Sequence, residues 1–162
     1  MGVAGSGKST LGAVIAERMG WPMIEGDDFH SDENKVRMRA GIPLSDADRE
    51  GWLQSLAREI QKYPHGAVLT CSALKRRYRD LLRVASPGLG FVFLEITEED
   101  ALERVGARGQ HFFPPELMHS QFATLEAPLG ELRVLPLDAS LPLQTLADRS
   151  VEWLTGNCGQ AA

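Results

Sequence analysis

Apolar residues recur along this chain in two alternating rhythms. Leu11, Val14, Ile15 and Met19 fall three or four apart, on one stripe of a helix that Gly20 stops. Trp21 to Ile24 is a short apolar run that reads as a strand, and it ends in the acidic Glu25-Gly-Asp-Asp28. Ser31 or Asp32 caps a short helix through Met38, with Gly41 closing it. Ser45 and Asp48 have the spacing of a capping box, and the helix they open carries Trp52, Leu53, Leu56 and Ile60 on one face. Tyr63-Pro-His-Gly66 breaks that helix, and Ala67 to Cys71 reads as a buried strand. Leu74, Tyr78, Leu81 and Leu82 mark the next helix, ended by Ser86-Pro-Gly88. Phe91 to Ile96 is the clearest strand, and Glu98 to Arg108 follows as helix with Leu102 and Val105 inward. Another helix starts at Pro115 or Glu116. Leu132 to Leu137 is the last strand, where Pro136 implies an edge or a strand end. Leu143 to Leu154 is the closing helix.

Helices alternating with short apolar runs predict an α/β fold with a parallel sheet. No repeat, low-complexity block or domain-sized linker interrupts it. Residues 1–156 therefore read as one domain and residues 157–162 as a frayed tail. The 162 residues suffice for one core, and 43% hydrophobic with 24% charged residues is ordinary globular composition. A net charge of -5 argues against a nucleic-acid surface. No run is long enough for a membrane span and no signal peptide is evident. The two cysteines, Cys71 and Cys158, lack metal or redox spacing, which suits a reducing cytoplasm.

The chemistry begins at the first ten residues. Gly2, Val3, Ala4, Gly5, Ser6, Gly7, Lys8 and Ser9 fit G-x-x-x-x-G-K-[ST], and with Thr10 they lead straight into the first helix. A glycine-rich turn lets backbone N–H groups converge on phosphate oxygens, and the helix N-terminus adds its positive end. Lys8 would reach the β- and γ-phosphates and Ser9 would hold Mg²⁺. The start also satisfies M-G-x-x-x-[ST], an acylation pattern, but an acylated Gly2 would disable the loop.

Phosphoryl transfer further needs a group that orients the acceptor hydroxyl and cations for the transition-state charge. Glu25 and Asp27 close a strand and by alternation share a side; one would serve the metal and its water, the other the hydroxyl proton. Arg104 and Arg108, four apart, would clamp the phosphates from one helical face. Lys75, Arg76, Arg77 and Arg79 cluster after a strand end, a site for an anionic substrate, and Arg49 is placed to face the same pocket.

These residues resemble the bacterial gluconate kinase (gluconokinase) family over nearly the whole chain. The resemblance rests on the P-loop and on Glu25-Gly-Asp27 with His30. It rests too on Gly41-Ile-Pro-Leu44 with Asp46, Asp48, Arg49 and Trp52-Leu53, and on Cys71-Ser-Ala-Leu-Lys75 with Tyr78-Arg-Asp-Leu-Leu82. His111-Phe-Phe113 and Gln121-Phe-x-Thr-Leu-Glu126 with Pro128 complete it. It implies ATP- and Mg²⁺-dependent phosphorylation of D-gluconate at its 6-hydroxyl. It also implies a nucleoside-monophosphate-kinase-like P-loop fold, similar to shikimate kinase: a five-stranded parallel sheet, and a lid at about residues 104–124. It puts Asp27 at the acceptor hydroxyl and Lys8 on the phosphates. Ser9 and Glu25 fall to the metal, and Arg104 and Arg108 to the lid. His30, Arg49, Lys75, Arg79 and Gln121 would line the gluconate side. A homodimer is implied as well. Arg37 stands where the family commonly carries Lys. The strand that should lead into the P-loop is not in this sequence. Its loss would leave two neighbouring strands with unpaired backbone, so we expect the natural product to begin upstream or the chain to fold poorly.

Overall fold

The computed structural model describes residues 1–107 and 114–157. In order they form α1 (Lys8–Met19), β1 (Met23–Glu25), a 3-10 turn (Gly26–Phe29), α2 (Asp32–Arg39), α3 (Asp46–Ile60) and β2 (Val68–Thr70). Then come α4 (Arg76–Ala85), β3 (Phe91–Glu95), α5 (Glu98–Gly106), α6 (Pro115–Thr124), β4 (Val134–Asp138) and α7 (Leu143–Asn157). The strands make two parallel pairs: β1 with β2, Ile24 opposite Leu69, and β3 with β4, Phe93 opposite Pro136. Pro136 lies on a strand with one partner, the edge position its missing N–H requires.

Residues 1 and 2 join the two pairs. The Met1 amine donates to Val92 O at 2.6 Å, Leu94 N donates to Met1 O at 3.0 Å, and Gly2 N donates to Ser72 O at 3.3 Å. Behind this bridge an apolar cavity of about 110 Å³ lies between β2 and β3, walled by Leu11, Ile15, Leu69, Phe91 and Val92. The sheet is thus two two-stranded halves rather than the five continuous strands the resemblance implies.

Helices cover both faces. Trp52, Leu53, Leu56 and Ile60 of α3 pack with Tyr78 and Leu82 of α4 against Cys71 and Phe91. On the other face Leu11 and Ile15 of α1 meet Leu146 and Ala147 of α7 over Leu94 and Leu137. A third group, Val3, Leu74, Ala101 and Met118, lies under the P-loop. Each buried leucine here contributes roughly 1.5–3 kcal/mol. Among the described residues no helix is long and apolar enough to cross a membrane.

Local signals explain most boundaries. Ser45 Oγ accepts from Asp48 N, and the Asp48 carboxylate accepts from Ser45 N, closing the capping box in both directions. Ser31 caps α2 through Asn34 N. Some boundaries differ from the periodicity, the first strand and the helix after β2 among them. The first strand runs to Glu25 and omits Trp21 and Pro22. The helix after β2 starts at Arg76, not Leu74, because Ala73 turns left-handed (φ 44°) and Leu74 and Lys75 precede the first helical residue.

Arg79 holds that left-handed turn. Fully buried, it donates through Nη1 to Ala73 O (2.9 Å) and Leu74 O (3.1 Å), and through Nη2 to Glu126 O (3.0 Å). Its Nε and Nη2 also bond the Glu131 carboxylate, which Arg83 bonds at 2.8 Å. The Arg79 hydrogen bonds, with help from Arg83, hold the Glu131 carboxyl down at about 2. Removing the guanidinium leaves the Ala73 and Glu126 carbonyls and part of a carboxylate unpartnered. Arg79→Met is therefore expected to lower unfolding free energy by about 3–5 kcal/mol in urea denaturation. Asp148→Ala, which breaks the exposed pair to Arg18, should cost under ~1 kcal/mol. Equal losses would contradict this reading.

Candidate active site

The P-loop takes its shape from glycines. Gly5 (φ 77°) and Gly7 (φ 93°) are left-handed, and a Cβ on Gly5 would sit 2.7 Å from Ala101 O. Gly7 then starts α1 without a side-chain cap, and the first turn of that helix holds no carboxylate. The positive end of the helix thus lacks a local anionic partner. The Val3 carbonyl organises the loop: buried Ser6 Oγ and Lys8 Nζ each donate to it at 2.9 Å. Backbone donors, a lysine and a side-chain-free cradle fit a polyphosphate. Ser9, exposed on the first turn, has the hydroxyl a Mg²⁺ bound to phosphate uses. Among the described residues no cluster of three or more His, Cys, Asp or Glu gathers to hold a metal by itself.

In front of the loop opens a cleft of about 720 Å³, the size of a small-molecule site. One wall is Ala4, Gly5 and Gly7 to Thr10. The facing wall is Asp27, His30, Arg49 and Trp52, with Ser120 and Gln121 of α6 closing a third side. That wall is stiff. Trp52 Nε1 donates to Gly26 O at 2.7 Å, His30 stacks on Trp52 with ring centroids 4.4 Å apart, and Arg49 Nη1 donates to Leu44 O at 2.6 Å. Gly26 itself must be glycine, because a Cβ there would fall 2.2 Å from Thr70 O. His30 Nδ1 is buried without a partner, and burial, aided by the Arg49 and Lys35 charges, pushes the imidazole down to about 4. The ring is neutral at physiological pH.

Of the residues singled out from sequence, Lys8, Ser9, Asp27, His30, Arg49 and Gln121 meet in this cleft. Four others lie elsewhere. Glu25 accepts from Thr70 Oγ1 and does not line the cleft, because the chain leaves strand geometry at Gly26 and alternation no longer aligns Glu25 with Asp27. Lys75 is tied to Asp46 at 2.9 Å, and Arg77 and Tyr78 bond the same carboxylate. Arg79 is the buried clamp described above. Arg104 Nη2 donates to Ala139 O at 2.9 Å. Arg108 and His111 to Phe113 fall outside the described residues. Ser72, Met38 and Pro43 line the cleft without having been singled out. Ser72 had a signal, since it follows the C-terminal end of β2, where open α/β sheets bind ligands.

Comparison with known proteins identifies the family. The family model described as shikimate kinase matches residues 4–123. The gluconokinase of Gluconobacter oxydans (strain 621H) is 46% identical over 131 residues, 79% of this chain and 74% of that one. The thermoresistant gluconokinase of Escherichia coli (strain K12) is 38% identical over 156 residues, 94% and 89% of the two chains. The crystal structure of a gluconokinase from Sinorhizobium meliloti 1021 superposes with a TM-score of 0.91 at 42% identity, covering 100% of this chain and 95% of that one.

The neutral His30 has a measurable consequence. Its pKa is lower in the folded than in the unfolded protein, so acidification protonates the unfolded chain first. Stability should fall as pH drops from 6.5 toward 4, with on the order of 2 kcal/mol lost to this group by pH 5. In His30→Asn the same pH series of urea melts should be shallower by that amount, and parallel curves would refute the assignment.

Proposed function

The chain belongs to the gluconokinase family within the shikimate-kinase-like P-loop kinases, and on that premise we propose how its cleft phosphorylates D-gluconate with ATP. The observation that supports the reading is the gathering of a phosphate loop, a carboxylate (Asp27) and a cation (Arg49) around one cleft. ATP lies with its phosphates on Gly5 to Thr10. Mg²⁺ would be held through the Ser9 hydroxyl and would offset the charge of the phosphates. Lys8 keeps its ammonium at the γ-phosphate, steadied by Val3 O.

Gluconate offers a carboxylate at one end and a primary hydroxyl at the other. Arg49 takes the carboxylate, since among the cations considered for the acceptor it is the one that reaches the cleft. Asp27 accepts the proton of the 6-hydroxyl. The hydroxyl oxygen forms a new bond to the γ-phosphorus, the bond to the β-phosphate oxygen breaks, and its electron pair leaves with ADP. The products are 6-phosphogluconate, ADP and one proton. We propose residues 104–124 as the lid; for Arg104 to serve there, it must first leave the Ala139 carbonyl.

ADP release with ATP, Mg²⁺ and gluconate tests the reading, with shikimate and D-glucitol as alternative acceptors. Gluconate should be the preferred acceptor, and equal or better turnover of shikimate would overturn it. Asp27→Asn should lower kcat by about 10³-fold with little change in KM for gluconate. Arg49→Met should raise KM for gluconate by about 10- to 100-fold while leaving the weak use of uncharged D-glucitol unchanged.

A further inference from the structure

One peptide group in the P-loop is engaged at both ends. The carbonyl of Val3 receives Lys8 Nζ at 2.9 Å, and the N–H of Ala4, across the same peptide bond, donates to Gln121 Oε1 at 2.8 Å. Because the backbone N–H can only donate, the amide atom facing it must be the oxygen. The Gln121 carboxamide therefore has a fixed orientation, with its NH2 turned away from Ala4. Gln121 lines the cleft beside Ala4, Gly5 and Lys8. Among the described residues its Nε2 has no hydrogen-bond partner, and it is not among the buried unsatisfied atoms. Two donor hydrogens are thus held at the cleft, next to the loop that carries the phosphates.

The helix bearing Gln121, part of the proposed lid, rests against the P-loop cluster in this structure. Leu117 and Met118 of α6 are buried, Met118 against Val3, Leu74 and Ala101. Just past its end, Glu126 N donates to Leu74 O at 2.9 Å and Glu126 O accepts from Arg79. A side chain oriented by a backbone bond, on a helix anchored at its far end, loses little freedom when it meets a ligand.

We propose that Gln121 is a catalytic residue that donates its carboxamide N–H to a non-bridging oxygen of the phosphoryl group in transit. This rests on the kinase reading above. Lys8 and Gln121 then bracket the moving group from the two ends of the Val3–Ala4 peptide. As the phosphoryl leaves ADP, charge gathers on its equatorial oxygens, and a preoriented donor stabilises that charge more than the ground state.

Two variants test it. Gln121→Glu keeps an acceptor for Ala4 N–H at the same length but loses the donor; Gln121→Met loses both. Each should lower kcat by about 100-fold, with KM for gluconate and Kd for ADP within about threefold of wild type. The ADP–fluoroaluminate complex, which mimics the phosphoryl in flight, should bind more weakly by a similar factor. The slow hydrolysis of ATP without acceptor should fall in parallel. That arm keeps the test valid even if gluconate is not the acceptor. Wild-type kcat in Gln121→Glu would overturn the proposal and leave Gln121 as a latch on the P-loop. A rise in KM for gluconate at unchanged kcat would also overturn it, assigning the side chain to acceptor binding instead.

Discussion

A buried guanidinium holds this active site in shape. Arg79 ties the turn after β2, the segment after α6 and the Glu131 loop to one point. Without it Ala73 would have no reason to stay left-handed, a conformation that costs roughly 1–2 kcal/mol for a residue with a Cβ. That turn matters because Ser72, one residue earlier, carries the carbonyl that receives Gly2 N at the root of the P-loop. Leu74, one residue later, packs under Val3 and receives Glu126 N. Phosphate loop, Leu74 and the segment after the helix bearing Gln121 are all referenced to a strand end that a single charged side chain stabilises from inside.

The same economy appears in the P-loop. Its glycines permit close approach, but the direction of its functional groups comes from one peptide plane, Val3–Ala4, and from Ser6 beneath it. The facing wall is built on a different principle. An indole, an imidazole and a guanidinium are stacked or tied to backbone carbonyls, so Asp27 and Arg49 present their charges from a rigid plate. One wall is shaped by backbone and the other by rings.

Features set by neighbouring residues were legible in the sequence. The stripe Leu11, Val14, Ile15, Met19, the Ser45–Asp48 box and the glycine spacing of the P-loop all act within a turn or two, and each occurs as read. What depends on distant partners was not. Lys75 reads as a free cation until Asp46, 29 residues away, neutralises it. Arg79 belongs to a run of basic residues that looks solvated, yet its partner Glu131 lies 52 residues on and draws it inside. Glu25 was aligned with Asp27 by strand alternation, which fails at Gly26 because a residue without Cβ lets the chain curl against Thr70. Sequence proximity grouped more charges than the structure brings together in one cleft.

The cavity between β2 and β3 bears on how the molecule responds to compression. A hollow of about 110 Å³, lined mostly by aliphatic and aromatic side chains with Lys8 and Thr70 among them, vanishes when the chain unfolds. Its disappearance adds tens of mL/mol to the volume decrease on unfolding, a large share of what a domain this size shows in total. Hydrostatic pressure would act first on the seam between the two half-sheets, which is also where Met1 and Gly2 lead into the phosphate loop.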